Sequence, residues 1–166
     1  GGGGVRGRGG GGEGWVARGG GAGGGGGEDM QVPAGGSRLP VTHEIIDAKM
    51  HKACMNGHEI FTFAIKKIAE VTQQALALAG IPKEDVHLLI PNQANLRIIE
   101  AAARLLDFPM EKVMVDLDKY GNTGAASIPI ALCEAVESGR IKPGHIVVLT
   151  GVGAGMAWGS LVMRWG

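Results

Sequence analysis

Apolar residues recur with a helical period along residues 61–79, and the positions between them are polar or charged. This pattern predicts an amphipathic helix. We expect the helix to end at Gly80, because glycine is common just after a helix and Pro82 follows it. Similar spacing predicts two further helices, over 94–106 and over 125–138.

Short apolar runs separate these helices and indicate β-strands. They comprise Val86–Ile90, 113–117 and Ile146–Leu149, and the last contains no polar residue, which is typical of a strand covered on both faces. The alternation of strands and helices predicts an α/β fold with a mostly parallel sheet and βαβα crossovers. A final run, Ser160–Arg164, is expected to form an antiparallel strand.

Glycine is distributed very unevenly: more than half of the 31 glycines lie within the first 27 of the 166 residues. Glycine loses more backbone entropy on ordering than any other residue, and this stretch has few apolar side chains to bury. We therefore predict a disordered glycine-rich leader over 1–31. The remainder, 32–166, has the size of one domain.

Charge and cysteine content exclude several classes of protein. The 16 Lys and Arg residues balance the 16 Asp and Glu residues, which argues against binding to nucleic acid or a membrane surface, since both need a basic excess. Cys54 and Cys133 are too few for a disulfide framework, so we expect a cytoplasmic protein. His51, Cys54 and His58 lack a fourth metal ligand, so no metal site is predicted. Cys133 lies within a predicted helix and is expected to pack there as a small hydrophobe.

Three loops follow the predicted parallel strands, over 91–95, 118–123 and 151–155. Ligands of such sheets bind beyond the carboxyl ends of the strands, so these loops should meet in one crevice. The first two loops carry Asn92 and Asn122. A carboxamide donates two hydrogen bonds without ionising, and two of them converging on one oxygen would stabilise an enolate or oxyanion. Each asparagine taken alone fits a turn or a helix cap.

The third loop, Gly151–Gly155, has glycines spaced as in a dinucleotide-binding turn. We reject that interpretation because position 156 is Met and the residues beyond it predict a strand rather than the required helix. Instead, the loop is expected to bring backbone N–H groups close to a reacting carbonyl. The alternative is a tight turn between two strands.

Four segments, in this order along the chain, carry a family resemblance: Met55–Phe61, Ile90–Ile99, Asp118–Ser127 and Gly153–Gly159. They resemble the carboxy-terminal half of beta-ketoacyl-ACP synthase III, the condensing enzyme that initiates bacterial type II fatty acid synthesis. The resemblance runs from about Val32 to the end of the chain. It implies the second half of a thiolase-like fold, in a cytoplasmic, homodimeric acyltransferase without a tightly bound cofactor.

The resemblance also implies a reaction and roles for individual residues. The reaction is a decarboxylative Claisen condensation between acyl-CoA and malonyl-ACP, so the substrates are CoA and phosphopantetheine thioesters. Asn122 occupies the family's catalytic Asn position, and the backbone N–H of Ala154 would contribute to the oxyanion hole. The pantetheine channel would be lined by Met55, Gly57, Phe61, Ala94 and Asn95. The acyl carrier protein would meet Gln93, Arg97 and Arg104.

The two arginines share one side of their predicted helix with Glu100. Spacing alone favours a solvated stripe of ion pairs, each contributing tenths of a kcal/mol. With the resemblance, Arg97 and Arg104 become a docking site for phosphopantetheine and an acidic carrier protein.

Two departures from the family pattern affect the expected activity. The family's catalytic His position is Asn92, which cannot accept a proton, and losing an acid–base group costs about 10² to 10⁴ in rate. The family's nucleophilic cysteine, from the first half, has no counterpart, so we expect a truncated fragment that condenses nothing by itself. Two alternatives remain: a non-catalytic module that binds carrier protein or CoA, and an acyltransferase to alcohols or amines.

Overall fold

The computed structural model describes residues 5–6, 14–23 and 28–166. Within these ranges the strands are β1 Val5–Arg6, β2 Gly14–Ala22, β3 Met30–Gln31, β4 Cys54–Met55, β5 Val86–Pro91, β6 Ile146–Gly153 and β7 Ala157–Arg164. The α-helices are α1 His43–Asp47, α2 Gly57–Ala79, α3 Leu96–Leu105, α4 Leu117–Tyr120 and α5 Ser127–Glu137. Short 3₁₀ turns span Lys83–Asp85, Met110–Lys112 and Gly124–Ala126.

The long helix α2 confirms the first predicted helix and extends it to Gly57. It ends at Gly80, whose φ of 68° lies in the left-handed region that favours glycine. Helices α3 and α5 confirm the other two predictions, each within two residues of the predicted bounds. None of the helices in the described ranges combines the length and the hydropathy needed to cross a lipid bilayer.

Five strands form one mixed sheet in the order β1-β2-β7-β6-β5, and β3 pairs separately with β4. Strands β5 and β6 run parallel, from Val86 opposite Ile146 to Pro91 opposite Thr150. The chain between them therefore makes the predicted crossover, and β7 is antiparallel to β6 as predicted. The other described pairs of this sheet are antiparallel, so parallel pairing among its strands is confined to β5 and β6.

The predicted strand over 113–117 is wrong as a regular strand. Only Val113 makes a bridge, parallel to Leu89 of β5. Beyond it, the side chain of Gln93 takes the place of a neighbouring strand, because it donates to the Met114 carbonyl and accepts from the Asp116 N–H, both at 3.1 Å. A side-chain amide has thus replaced ladder hydrogen bonds, and the backbone turns directly into α4.

The prediction of disorder is wrong for the part of the glycine-rich leader that forms β2, which pairs with β7. Ladder hydrogen bonds need no side chains, and Ala17 of this strand is fully buried. A Cβ on Gly20 would lie 2.8 Å from the carbonyl oxygen of Trp158, so the two backbones approach as closely as glycine allows. The boundary at residue 32 stays a prediction; of the leader, residues 1–4, 7–13 and 24–27 lie outside the described residues.

Side chains of β6 alternate between two helical layers. Val148 lies in a buried cluster with Ile99 of α3, whereas Val147 lies in a second cluster with Ala131 of α5. Because helices cover both faces at this strand, the run 146–149 is apolar throughout, as predicted. Complete burial of each valine contributes about 1.5–3 kcal/mol. These clusters fix the carboxyl ends of β5 and β6, where the candidate site lies.

Candidate active site

The carboxyl ends of β5 and β6 open into a cavity of about 800 Å³. Its walls come from the start of α2, the loop between β5 and α3, the loop after α4, and the turn between β6 and β7. The cavity brings together every residue predicted for the chemistry or the pantetheine channel: Asn92, Asn122, Ala154, Met55, Gly57, Phe61, Ala94 and Asn95. The predicted meeting of three loops is therefore observed, while the residues' roles stay predictions.

Asn92 is held at the end of β5 by two hydrogen bonds to β6. Its backbone N–H donates to the Thr150 carbonyl at 2.8 Å. Its side-chain Oδ1 accepts from the backbone N–H of Val152 at 3.3 Å. A backbone N–H only donates, so this contact identifies the oxygen of the carboxamide. The NH₂ group has no hydrogen-bond partner in the described part of the chain and is available to a ligand.

In Asn122, as in Asn92, the amide oxygen is hydrogen-bonded within the described part of the protein and the NH₂ group is not. Its Oδ1 accepts from the backbone N–H of Gly124 at 3.0 Å, a local turn that orders the loop. Its NH₂ group has no hydrogen-bond partner among the described residues, and Asn122 lines the cavity. The turn role and the donor role are therefore compatible, because they use different atoms of one side chain.

Asn95 serves chiefly as the N-cap of α3. Its Oδ1 accepts from the backbone N–H of Arg97 at 2.9 Å, a contact whose loss typically costs about 1 kcal/mol. The cap fixes the point where the loop from β5 becomes helix. Asn95 thus shapes the cavity wall while its oxygen is committed to the backbone.

The turn between β6 and β7 is short and tightly bent. Gly153 pairs with Ala157, which leaves three residues to reverse the chain. Gly155 and Met156 both have positive φ, 76° and 51°. The N–H of Ala154 makes no hydrogen bond within the described ranges. Strand β7 follows the turn directly, in agreement with the rejection of a dinucleotide-binding helix.

Neither cysteine lies in the cavity wall, and both are exposed. Cys133 lies on helix α5, but the prediction that it packs as a small hydrophobe is wrong, since the residue is exposed and its Sγ donates to Oε1 of Glu137 at 3.4 Å. This hydrogen bond raises the pKa of Cys133, which keeps the thiol protonated and less nucleophilic. Over the described residues, no three His, Cys, Asp or Glu side chains are grouped to hold a metal ion.

The residues predicted to meet a carrier protein divide into two groups. Arg97 and Arg104 are exposed on α3. Neither makes an ion pair in the described part of the chain, so the stripe of ion pairs is not formed there. Gln93 is fully buried, and the prediction that it contacts a carrier protein is wrong for its side chain. Its side-chain amide instead makes hydrogen bonds to backbone groups inside the fold.

Trp158 is a cavity residue that the sequence analysis missed. Its ring meets Phe63 edge to face, with centroids 5.6 Å apart, and Lys67 Nζ lies 5.1 Å from the ring centroid. These contacts hold the indole from the α2 side. The available signal was its place three residues after the glycine turn, within a segment that carried the family resemblance.

The loop that bears Asn122 is anchored by charged groups on α4 and α5. Glu134 accepts hydrogen bonds from Lys119 and from the Tyr120 hydroxyl, the latter at 2.6 Å, and these bonds lower the pKa of Glu134. Asp116, at the start of α4, is buried. Burial foremost, then the Glu134 carboxylate, raises the pKa of Asp116. The loop is thus fixed on its α4 side by the ion pair of Lys119 with Glu134 and by the Tyr120 hydrogen bond.

Helices on both faces of a mixed sheet, and a cavity at the strand ends, define an α/β domain of the thiolase-like class, which its structural neighbours share. The family model described as 3-oxoacyl-[acyl-carrier-protein (ACP)] synthase III C terminal matches residues 76–165. The chain belongs to this family.

Individual relatives agree with the family model. The chain is 51% identical over 136 residues to the beta-ketoacyl-[acyl-carrier-protein] synthase III of Roseiflexus sp. (strain RS-1), covering 82% of this chain and 41% of the relative. It is 42% identical over 162 residues to that of Syntrophomonas wolfei, covering 98% and 49%. The solved synthase III of Thermus thermophilus superposes with a TM-score of 0.83 at 41% identity, over 93% of this chain and 47% of that one. The chain spans less than half the length of these relatives.

Proposed function

We propose that this chain supplies the second half of the active site of a beta-ketoacyl-ACP synthase III. The observation that carries the proposal is the arrangement of the two asparagines. In both Asn92 and Asn122 the amide oxygen is occupied by a backbone N–H, and the NH₂ group is left for the shared cavity. Two neutral donors of this kind suit an oxygen on which negative charge develops.

The proposed reaction proceeds in two steps. The malonyl thioester of the carrier protein enters along the channel side of the cavity and loses CO₂, and the resulting enolate oxygen accepts hydrogen bonds from Asn92 and Asn122. The enolate carbon then attacks the carbonyl of an acyl group carried as a thioester on a cysteine of the amino-terminal half. The N–H of Ala154 donates to the tetrahedral oxyanion, which collapses and expels the cysteine thiolate.

Asn92 limits the rate of this reaction. Its amide still donates to the enolate, but it neither accepts a proton nor stabilises a thiolate as an imidazolium would. The expected cost is about 10² to 10⁴ in rate. The cavity wall, as far as the structure describes it, contains no thiol, so we propose that the chain does not condense substrates by itself.

The proposed substrates are acyl-CoA and a phosphopantetheine thioester on acyl carrier protein, with no tightly bound cofactor. Arg97 and Arg104 are the proposed contacts to the acidic carrier protein, since both are exposed and unpaired among the described residues. The proposed setting is the bacterial cytoplasm and a homodimer of the complete protein. Neither nucleic acid nor a membrane is a proposed partner.

The proposal is tested in a chimera that joins the amino-terminal part of the Roseiflexus relative to this chain. Asn92→His is expected to raise malonyl-ACP condensation by about 10² to 10⁴. The control is Gln73→His, because Gln73 is exposed on α2 and lies outside the cavity wall; it should leave the rate unchanged.

A second candidate function is favoured by Asn92 alone: a module that binds carrier protein or CoA without catalysis. The same chimera distinguishes the two. Weak activity that rises with Asn92→His supports the condensing enzyme. Binding of acetyl-CoA with no condensation in either form supports the binding module instead.

A further inference from the structure

Gln93 is the largest polar side chain in the described part of the chain that is fully buried. Its amide uses both of its donors and one of the two lone pairs of its oxygen. Nε2 donates to the carbonyls of Pro91 at 2.9 Å and Met114 at 3.1 Å, and Oε1 accepts from the N–H of Asp116 at 3.1 Å. The backbone N–H of Gln93 donates to Oγ of Ser127 at 3.1 Å.

These partners lie on the segments that frame the two donor amides. Pro91 is the last residue of β5 and directly precedes Asn92. Met114 and Asp116 lead into α4 and so to Asn122. Ser127 begins α5 and lines the cavity. One side chain and its backbone therefore join all three segments.

We propose that Gln93 is a positioning residue that fixes the Asn122 loop relative to Asn92. The catalytic meaning of this role rests on the proposed function, whereas the mechanical coupling of the two loops does not. The role replaces the carrier-protein contact expected from the sequence.

The pattern of donors and acceptors explains why glutamine is needed here. Two carbonyls and one N–H require two donors and one acceptor, which a carboxamide supplies. Methionine has a similar length but supplies no donor, and an ionised glutamate supplies only acceptors. Each change would leave buried backbone groups without a hydrogen-bond partner. This costs far more free energy than it would at the surface, where water could take the partner's place.

Asp116 does not anchor this segment through its own side chain. Its Oδ2 is buried without a hydrogen-bond partner within the described ranges. Glu134 holds the far end of α4 through Lys119 and Tyr120. Met114 is also held to β5, since its N–H donates to the Leu89 carbonyl at 2.8 Å. The position of Asp116 therefore depends on the Gln93 contacts, and removing them should free the loop between Met114 and the Glu134 contacts.

The test compares Gln93→Met and Gln93→Glu in the full chain, with Leu106→Ala as the control for general destabilisation. Leu106 is buried in the α3 layer and does not line the cavity. The readout is the pair of side-chain NH₂ signals of Asn92 and Asn122 in ¹⁵N-labelled protein. Gln93→Met should broaden or split the Asn122 signal, and Leu106→Ala should leave it as in the unmodified chain.

Gln93→Glu adds a pH readout that a merely space-filling role would not give. Burial raises the pKa of a carboxyl, and a protonated glutamic acid again offers one donor and one acceptor. In this variant the Asn122 signal should therefore sharpen as the pH is lowered from about 8 to about 5, the range in which a buried carboxyl group with a raised pKa becomes protonated. It should not sharpen in Gln93→Met.

In the chimera, Gln93→Met should lower kcat by about 10² while KM for malonyl-ACP stays nearly constant, as expected for a misplaced donor. The proposal is overturned if Gln93→Met and Leu106→Ala change the Asn122 signal equally, or if Gln93→Glu shows no pH dependence. Should Gln93→Met fail to fold, the pH series on Gln93→Glu decides. An inactive chimera would count against the proposed function. The side-chain amide signals of the full chain would still test the positioning role of Gln93.

Discussion

Gly151 faces Asn92 across the floor of the cavity, so closely that a Cβ on Gly151 would lie 3.4 Å from the Cβ of Asn92. The same methyl group would lie 3.3 Å from Cδ1 of Ile128. The tip of an isoleucine side chain moves easily, but the Cβ of Asn92 moves only with its backbone. Gly151→Ala should therefore shift the Asn92 donor and lower condensation in the chimera by about tenfold or more.

The control for this prediction is a glycine outside the cavity wall, Gly36. A Cβ on Gly36 meets nothing within 4 Å, and Gly36 has no positive φ. Gly36→Ala should keep both the rate and the melting temperature of the unmodified chimera. Equal rates in the two variants would show that the contact between Gly151 and Asn92 has no bearing on the reaction.

Asn122→Asp separates the two roles of Asn122. The carboxylate still accepts from the Gly124 N–H at the position of Oδ1, so the turn is retained. The NH₂ donor is lost, and negative charge is placed beside the enolate. Condensation should fall by about 10² to 10³, the usual cost of one missing oxyanion donor.

Asn122→Ala is the comparison variant, because it removes the turn contact together with the donor. It should lose activity to the same extent and also lower the melting temperature, which circular dichroism measures. Near-normal condensation by Asn122→Asp would contradict the donor role.

The sequence was sufficient to predict elements whose causes are local. Helix α2 follows from its own periodicity and from Gly80, whose left-handed φ the backbone requires. The convergence of Asn92 and Asn122 was predictable because the first follows a parallel strand and the second follows the segment paired to it at Val113. The division of each amide into a bound oxygen and an available NH₂ was not, since it depends on backbone groups distant in the chain, as Val152 is for Asn92.

Non-local contacts explain the errors. Residues 113–117 have the composition of a strand, but the Gln93 side chain occupies the place of a neighbouring backbone. The glycine content of Gly14–Ala22 indicated disorder, whereas β7 offers it a complete ladder of partners. Gln93 was expected to meet a carrier protein because the family resemblance implied that contact. Only the fold reveals that its three hydrogen-bond partners surround it.

Arg97→Glu should abolish binding of acyl carrier protein by the chimera, as measured by titration calorimetry. Arg97 is exposed and makes no ion pair in the described part of the chain, so charge reversal removes an attraction and adds a repulsion without affecting the fold. The melting temperature should stay nearly constant.

Lys142→Glu is the control for net charge. Lys142 is exposed and lies just before the start of β6, at the opposite end of that strand from the cavity. It should bind the carrier protein like the unmodified chimera. Equal binding by Arg97→Glu and Lys142→Glu would show that Arg97 is a solvated surface residue with no role in carrier-protein binding.

His87 and His145 stack at the amino ends of β5 and β6, with ring centroids 4.1 Å apart and planes inclined by 18°. Nδ1 of His87 accepts from the Ile146 N–H at 3.1 Å, and Nδ1 of His145 accepts from the Lys142 N–H at 3.3 Å. An imidazole that accepts at Nδ1 carries its proton on Nε2 and is neutral. Protonating Nδ1 of His87 would therefore break its bond to the Ile146 N–H.

The surroundings favour the neutral form of His87. Burial foremost, then His145 and Lys112, lowers the pKa of His87 below its usual 6.5, and Asp85 opposes this shift only in part. The unfolded chain therefore binds the proton more readily than the folded chain does. The stabilisation is complete above about pH 6.5 and is lost as the pH falls through the lowered pKa.

Acidification from about pH 7.5 to about pH 5.5 should accordingly lower the melting temperature, in a window where ordinary carboxyl groups stay ionised. His87→Gln retains a side-chain acceptor for the Ile146 N–H and has no proton to gain, so its melting temperature should change less over the same window. The change in melting temperature of His145→Gln should be intermediate between those of the unmodified chain and His87→Gln. This variant removes the second-largest cause of the His87 pKa shift but leaves His87 buried. Identical pH profiles for the unmodified chain and His87→Gln would contradict the assignment, since the titrating group would then lie elsewhere.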